Sequence, residues 1–307
     1  MKKIVSIGEV LMDVYSADGI DKAEVGGASF NVACSIAALG TNESYFMGSL
    51  GNDDHKETIN SFLKKFDVKT NFIQDSNLQT TIARVTLDEN KERFFEFIRN
   101  SDAEFNLDLI EDVSLKEIDF IHFGSATGFL PGNLNKSYWD LFRFAQENNI
   151  RFSFDPNFRD KLWLTSEDIN NFCKFTNEFL LKADLIKLSD EELQLLTGIK
   201  DEEKALKKLM ENNKKALICI TRGSKDTMCG WNNEILYVPT IKCEELVDTT
   251  GAGDAFVSSL INEFVSENID SDSSKEKIFE IVMKSNKFAN QTVRHLGALT
   301  FLDYLEK

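Results

Sequence analysis

The chain has 307 residues, 35 of them Lys or Arg and 51 Asp or Glu, for a formal net charge of −16. That balance argues against nonspecific binding to nucleic acid or to an anionic membrane, because both need a basic face that displaces counterions. An apolar fraction of 42%, a charged fraction of 28% and only 16 Gly and 3 Pro exclude wholesale disorder, collagen-like repeats and Pro-rich low-complexity segments.

Residues 3–8 read as a buried strand ending in a glycine turn. The apolar run there is too short for a signal peptide, whose core needs about 7–15 residues, so the expected compartment is the cytoplasm. After an irregular stretch, residues 29–39 carry small and apolar side chains at helical spacing and stop at Gly40. Residues 45–47 form a short strand, and Asp53 caps a helix running to about Phe66. The pattern then changes. Residues 80–87 alternate, with Thr81, Ala83, Val85 and Leu87 on one face, and a turn at Asp88-Glu-Asn-Lys91 leads to a second run, 93–98. This is a β-hairpin with one polar face, not a piece of a buried parallel sheet.

From residue 118 a different rhythm takes over. Strands at 118–123, 151–155, 184–188 and 216–221 alternate with helices at 133–148, 166–181, 189–196 and 201–213. Such alternation predicts βαβ units and a parallel sheet covered by helices. Strands at 227–231 and 234–238 flank a Trp-Asn-Asn-Glu turn, and helices at 252–267 and 274–294 close the chain, separated by a polar loop. The expected architecture is α/β: a single body over 1–307 with a mainly parallel sheet, and a small β lid inserted at about 13–26 and 70–99. Open α/β sheets bind ligands at the carboxyl ends of their strands, where such a flap would close.

Five cysteines (Cys34, Cys173, Cys219, Cys229, Cys243) and three histidines (His55, His122, His295) show neither a Cys-x-x-Cys nor a paired zinc spacing. Asp248-Thr-Thr-Gly-Ala-Gly-Asp-Ala-Phe256 is the most informative stretch. Gly251 and Gly253 permit a tight turn at a helix N-terminus, whose outward N–H groups suit a phosphoryl group. Asp254 would repel that phosphate unless it takes a proton from the hydroxyl that attacks it, so a general base and an anion cradle would lie side by side. A plain capped helix start is the bland alternative. A dinucleotide fingerprint fails because Phe256 fills the third glycine position, and no G-x-x-x-x-G-K-[ST] occurs.

The run Asp248-Thr249-Thr250-Gly251-Ala252-Gly253-Asp254 resembles the C-terminal signature of the PfkB (ribokinase-like) carbohydrate kinases. Gly26-Gly27-Ala28-Ser29-Phe30-Asn31-Val32-Ala33, running to Gly40 and Gly51-Asn52-Asp53-Asp54, resembles the N-terminal one. The likeness covers essentially the whole chain and is nearest to fructokinases, supported by Asp155-Pro-Asn-Phe-Arg159 and Leu188-Ser-Asp-Glu-Glu192. Ser29 stands where fructokinase-like members usually have proline, and the spacing from Gly40 to Gly51 is one residue long. The resemblance implies a ribokinase-like three-layer α/β/α sandwich with a β-sheet lid, using ATP and Mg²⁺, with K⁺ as a further cation.

It implies Asp254 as catalytic base and the amides of Ala252, Gly253 and Asp254 as anion hole behind Gly251, with Arg159 neutralising the transferring phosphate. Asp13, Gly27, Asn31 and Arg99 would contact sugar, although Asp13 also reads as a turn residue, Asn31 as a helix cap and Arg99 as a solvated lid arginine. Lys187, Thr221, Arg222, Gly223 and Asn290 would bind nucleotide. Glu192 would be linked to magnesium, with Ser189 replacing the family's asparagine, and Asp248 with the Gly297 region to a monovalent cation. The implied activity is γ-phosphoryl transfer from ATP to a sugar hydroxyl, most simply of fructose. Alternatives are a 2-keto-3-deoxygluconate kinase, a ribokinase or nucleoside kinase, or a catalytically silent sugar- or nucleotide-binding regulator. A second copy of the chain, docked through the lid, is a further expected partner.

Overall fold

A computed structural model describes residues 1–17, 20–87 and 93–305; the turn expected at 88–91 lies outside them. In chain order the strands are β1 (Lys3–Ile7), β2 (Leu11–Ala17), β3 (Ile20–Gly26), β4 (Glu43–Leu50), β5 (Lys69–Asp75), β6 (Thr81–Leu87), β7 (Arg93–Ile98), β8 (Phe120–Phe123), β9 (Arg151–Phe154), β10 (Leu185–Ser189), β11 (Leu217–Arg222), β12 (Lys225–Trp231) and β13 (Glu234–Val238). The helices are α1 (Ala28–Leu39), α2 (His55–Phe66), α3 (Asp112–Leu115), α4 (Asn133–Glu147), α5 (Ser166–Leu180), α6 (Asp190–Thr197), α7 (Glu202–Asn212), α8 (Ala252–Ser266) and α9 (Lys275–Thr292).

Among the described residues a nine-stranded sheet runs in the order β13-β12-β11-β10-β9-β8-β1-β4-β5. Its pairs from β11 through β5 are parallel, and only the β11–β12–β13 meander is antiparallel. Both faces are buried, so successive strand residues alternate between two apolar cores. On β11, Ile218 and Ile220 join one core with α4 to α7, while Leu217 and Cys219 join the other with α1, α8 and α9. The first core is unusually aromatic. Phe179 of α5 stacks on Phe142 at 4.1 Å and on Phe154 at 5.0 Å, next to the strand end that carries Asp155. This is the expected three-layer α/β/α sandwich.

The second, smaller sheet, β3-β2-β6-β7, contains the strands expected to form the lid. Its β2–β6 pairing is parallel and its two outer pairings antiparallel. Met12, Val14 and Val25 are buried with Phe30 of α1 and Phe301. The opposite face carries a row that crosses all four strands, Glu24–Asp13–Ala83–Phe97. One boundary needs correction: the segment at 70–75, expected in the lid, is β5 and forms the edge of the large sheet against β4. As an edge strand it is polar, with Phe72 its one buried side chain, so it lacks the apolar run that marks the inner strands. No helix among the described residues is long and apolar enough to cross a membrane.

Candidate active site

The carboxyl ends of the parallel strands meet the N-termini of α1 and α8 beneath the lid. Gly251 caps α8 in the left-handed region (φ 77°), and a side chain there would run into Ala298. Asp248 fixes the approach to this turn. Its Oδ1 accepts from the Thr250 amide at 3.0 Å and hydroxyl at 2.7 Å, and its Oδ2 accepts from the Gly297 amide at 3.0 Å. Burial works against its charge, but these donors outweigh it and hold the carboxyl below the usual value. The Ala252 amide, expected in the anion hole, donates to the Thr249 carbonyl at 3.2 Å, which leaves the next amides of the first turn, those of Gly253 and Asp254, without intrahelical acceptors and suited to an anion.

Asp254 sits in the first turn of α8, and Asn31 Nδ2 donates to its Oδ2 at 2.8 Å. Burial, joined by the Asp155 charge, raises the Asp254 pKa against the lowering by Asn31, Arg159 and Lys187. A carboxylate so tuned is a stronger base than one in water and still points where a hydroxyl could bind. Asn31 Oδ1 is buried without a hydrogen-bond partner, an acceptor vacant beside that base. Asp13, on the lid row, has its pKa raised to about 6, chiefly by burial and further by Asp254 and Glu24, while Arg159 opposes the rise. A side chain at Gly26 would strike the Asp13 carboxylate, and one at Gly27 (φ 105°) would come within 2.6 Å of the Glu9 carbonyl oxygen. Gly26 therefore makes room for the Asp13 carboxylate, and Gly27 lets the start of α1 pack against the backbone of Glu9 and Val10.

Lys187 lies deeper than a nucleotide contact at a strand end would suggest. Its Nζ is 3.0 Å from Asp155 Oδ2, the two side chains being 9% and 2% exposed, and it would stand 3.2 Å from a Cβ built on Gly253. Burial works to lower its pKa, but Asp155, Glu192 and Asp254 prevail and raise it, so the ammonium is a fixed positive charge against the glycine turn. Arg159 extends from the 3₁₀ approach after β9 and is exposed, with its charge acting on Asp13 and Asp254.

The structure thus brings together Asp13, Gly27, Asn31, Arg159, Lys187 and Gly251 to Asp254. Other candidates already make protein contacts of their own. Each nitrogen of Arg99 already has an acceptor: Nε donates to Asp102 Oδ2 at 2.9 Å, Nη1 to the Pro131 carbonyl and Nη2 to the Thr127 carbonyl at 3.3 Å. These three bonds make Arg99 a strut of the smaller sheet, and a substrate contact would fall to the second N–H of each Nη. Arg222 pairs with Glu202 at 2.8 Å and lies over the Tyr237 ring, with Thr221 and Gly223 beside it at the end of β11. Asn290 donates to the Ile241 carbonyl at 2.8 Å and accepts from Arg294 at 2.9 Å. Glu192 closes a capping box with Ser189 and accepts from the Phe158 amide at 2.8 Å, which holds the Arg159 segment against α6. Asp155 was the residue that sequence reasoning left without a role. A lysine inside the apolar run of β10 was its signal, since a buried ammonium requires a partner.

Among the described residues no cluster of three or more His, Cys, Asp or Glu forms a metal cage. Asp155, Glu192 and Asp254 nevertheless bear together on Lys187, and one or two carboxylates plus substrate phosphates are the usual setting for Mg²⁺.

The model of the pfkB family of carbohydrate kinases matches residues 1–303. The probable fructokinase-2 of Arabidopsis thaliana is 32% identical over 319 residues, covering 97% of this chain and 92% of the relative. A fructokinase from Xylella fastidiosa, solved with bound ATP, superposes with a TM-score of 0.84 at 26% identity, covering 97% of this chain and 94% of the other. The fructokinase of Vibrio cholerae O395, solved with fructose, ADP and a calcium ion, gives 0.80 at 26% identity, with coverages of 98% and 96%. The ribokinase-like α/β fold is shared with them.

Proposed function

We propose a fructokinase reading for this chain, which belongs to the pfkB family of carbohydrate kinases. Within that ATP-dependent class, the acceptor is a hydroxyl of an unphosphorylated ketohexose, and Asp254 is its base. The observation that carries the reading is the Asn31–Asp254 hydrogen bond at 2.8 Å beneath the Asp13 row, with a vacant Asn31 Oδ1 alongside. A polyol offers adjacent hydroxyls that donate to Asp13 and Asn31 Oδ1, and the third proton goes to Asp254. The fructose and ATP in the solved fructokinases support the same assignment.

In this mechanism Asp13 and Asn31 seat the sugar and Asp254 accepts the hydroxyl proton as the oxygen attacks the γ-phosphorus. The bond to the β-phosphate oxygen breaks and ADP leaves. Amides of the Gly251 turn, with Lys187 and Arg159, hold the charge on the equatorial oxygens, so catalysis is positioning and electrostatics. Asp155 and Glu192 are the carboxylates that would hold a Mg²⁺ arriving with ATP, which would supply further charge neutralisation. Asp248 and the Gly297 loop are the place for a monovalent cation.

The test is ADP release with fructose, ribose, 2-keto-3-deoxygluconate, tagatose-6-phosphate and nucleosides. Fructose gives the highest kcat/KM, and Asp254→Asn lowers kcat by about 10²–10⁴-fold while nucleotide binding persists. Turnover of Asp254→Asn near the wild-type value removes Asp254 from the role of base.

A further inference from the structure

Glu9 is 1% exposed, lies directly after β1 and takes no part in the chemistry above. Its Oε1 accepts from the Ala28 amide at 2.9 Å. Ala28 opens α1, whose own cap residue, Gly27, has no side chain to offer, and the first turn of α1 contains no acidic residue. A carboxylate from another segment thus does what a local Ser or Asp usually does, satisfying a first-turn donor and the helix dipole. The other oxygen of Glu9 accepts from the Ser125 hydroxyl and, at 3.4 Å, from that of Thr127. Ser125 Oγ in turn accepts from the Thr127 amide at 3.1 Å, so residues 125–127 form one small knot around the carboxylate.

That knot is where the lid is tied down. The Thr127 carbonyl accepts from Arg99, and Arg99 holds Asp102, whose other oxygen accepts from Thr81 Oγ1 at 2.5 Å. Thr81 Oγ1 also accepts from the Asn100 amide at 2.9 Å. Thr81 begins β6 and Arg99 follows β7, so both legs of the lid hairpin leave from this point. At the far end, one turn beyond Ala28, Asn31 holds Asp254.

We propose that Glu9 is a positioning residue that joins the lid anchor at Arg99 to the N-terminus of α1, so that the seat of the lid and the orientation of the Asn31–Asp254 pair are set together. This rests on the kinase reading above. Glu9 touches neither substrate nor base; it acts through Ala28 and Ser125. Arg99 and Glu9 share no contact, and independent roles would therefore give independent effects.

The test is a double-mutant cycle in sugar-dependent ADP release, using Glu9→Gln and Arg99→Lys. Glu9→Gln keeps the volume but sets an amide N–H₂ against Ser125; Arg99→Lys keeps the charge but loses the three-way fork. Each single change lowers kcat/KM for sugar by about tenfold with KM for ATP within about twofold, and the double variant is no worse than the poorer single one. Losses that multiply, or single variants within about twofold of wild type, overturn the proposal. If Glu9→Gln shows no cooperative thermal transition, Ser125→Ala takes its place in the cycle under the same criteria. A wild-type protein without sugar-stimulated ADP release refutes the kinase reading, whereas an active wild type with multiplying losses refutes only the coupling.

Discussion

Replacing Asn31 by leucine removes one hydrogen bond from the proposed base at nearly constant volume. The bond runs from Nδ2 to Asp254 Oδ2 at 2.8 Å, and the remaining amide oxygen has no protein partner to lose. A hydrogen bond to an ionised group contributes about 1.5–3 kcal/mol, and about 1.4 kcal/mol corresponds to one pH unit in a titration. Because Asn31 stabilises the charged form of Asp254, its loss raises the Asp254 pKa further. The base must be ionised to act, so activity falls as pH drops through that pKa. The acid limb of kcat at saturating sugar, where the effect of Asp13 on KM drops out, therefore moves to higher pH by about one to two units in Asn31→Leu. Coupled ADP release across the pH range reads the midpoint directly, independently of the absolute rate, which also drops as sugar contact is lost. Thermal stability changes little, since a buried unsatisfied oxygen disappears along with the bond. An acid limb that stays in place, or moves to lower pH, refutes the assignment of Asn31 as the group that tunes Asp254.

Asp13, with its pKa raised to about 6, accepts from sugar hydroxyls only when ionised. KM for sugar accordingly rises as pH falls below 6, and Asp13→Asn gives a weaker KM without that rise; a pH-dependent KM in the variant contradicts the role. Lys187→Met leaves Asp155 charged and unpaired at 2% exposure, and a buried pair broken on one side costs about 3–5 kcal/mol, read as a lowered Tm. Adding Asp155→Asn recovers most of that stability, but not turnover, because the positive charge beside Gly253 is still missing. Recovered turnover in the double variant would make Lys187 purely structural.

The anion turn and the sandwich were legible in sequence because both are local. Gly251 and Gly253 announce their own backbone requirement, and β1, β8, β9, β10 and β11 announce themselves as apolar runs between amphipathic helices. Where partners are distant, sequence is silent. Arg99 looks like a free lid arginine until Thr127 and Pro131, some thirty residues on, take its N–H groups. Asn290 gives no local sign of the bonds it makes to the Ile241 carbonyl and to Arg294. The β5 segment, KTNFIQD, is mostly polar with no clear period, and only its pairing with β4 assigns it to the large sheet. Glu9 is a plain acidic residue after a strand, and nothing local shows that it caps α1.

The lid also bears on the order in which the chain acquires its shape. Its central pairing joins Leu11 to Thr81, partners 70 positions apart, with α1, β4, α2 and β5 between them. Closing so long a loop costs entropy that is recovered only after the intervening segments have packed, so this pairing belongs to the late steps of folding. Asp254 is contributed by α8, near the end of the chain, and leaves the ribosome after the lid strands have been made. Asp13 and the proposed base therefore come from opposite ends of synthesis, and the Gly251 turn meets the Asp13 row only when the whole molecule has folded. A nascent or truncated chain is thereby kept from spending ATP.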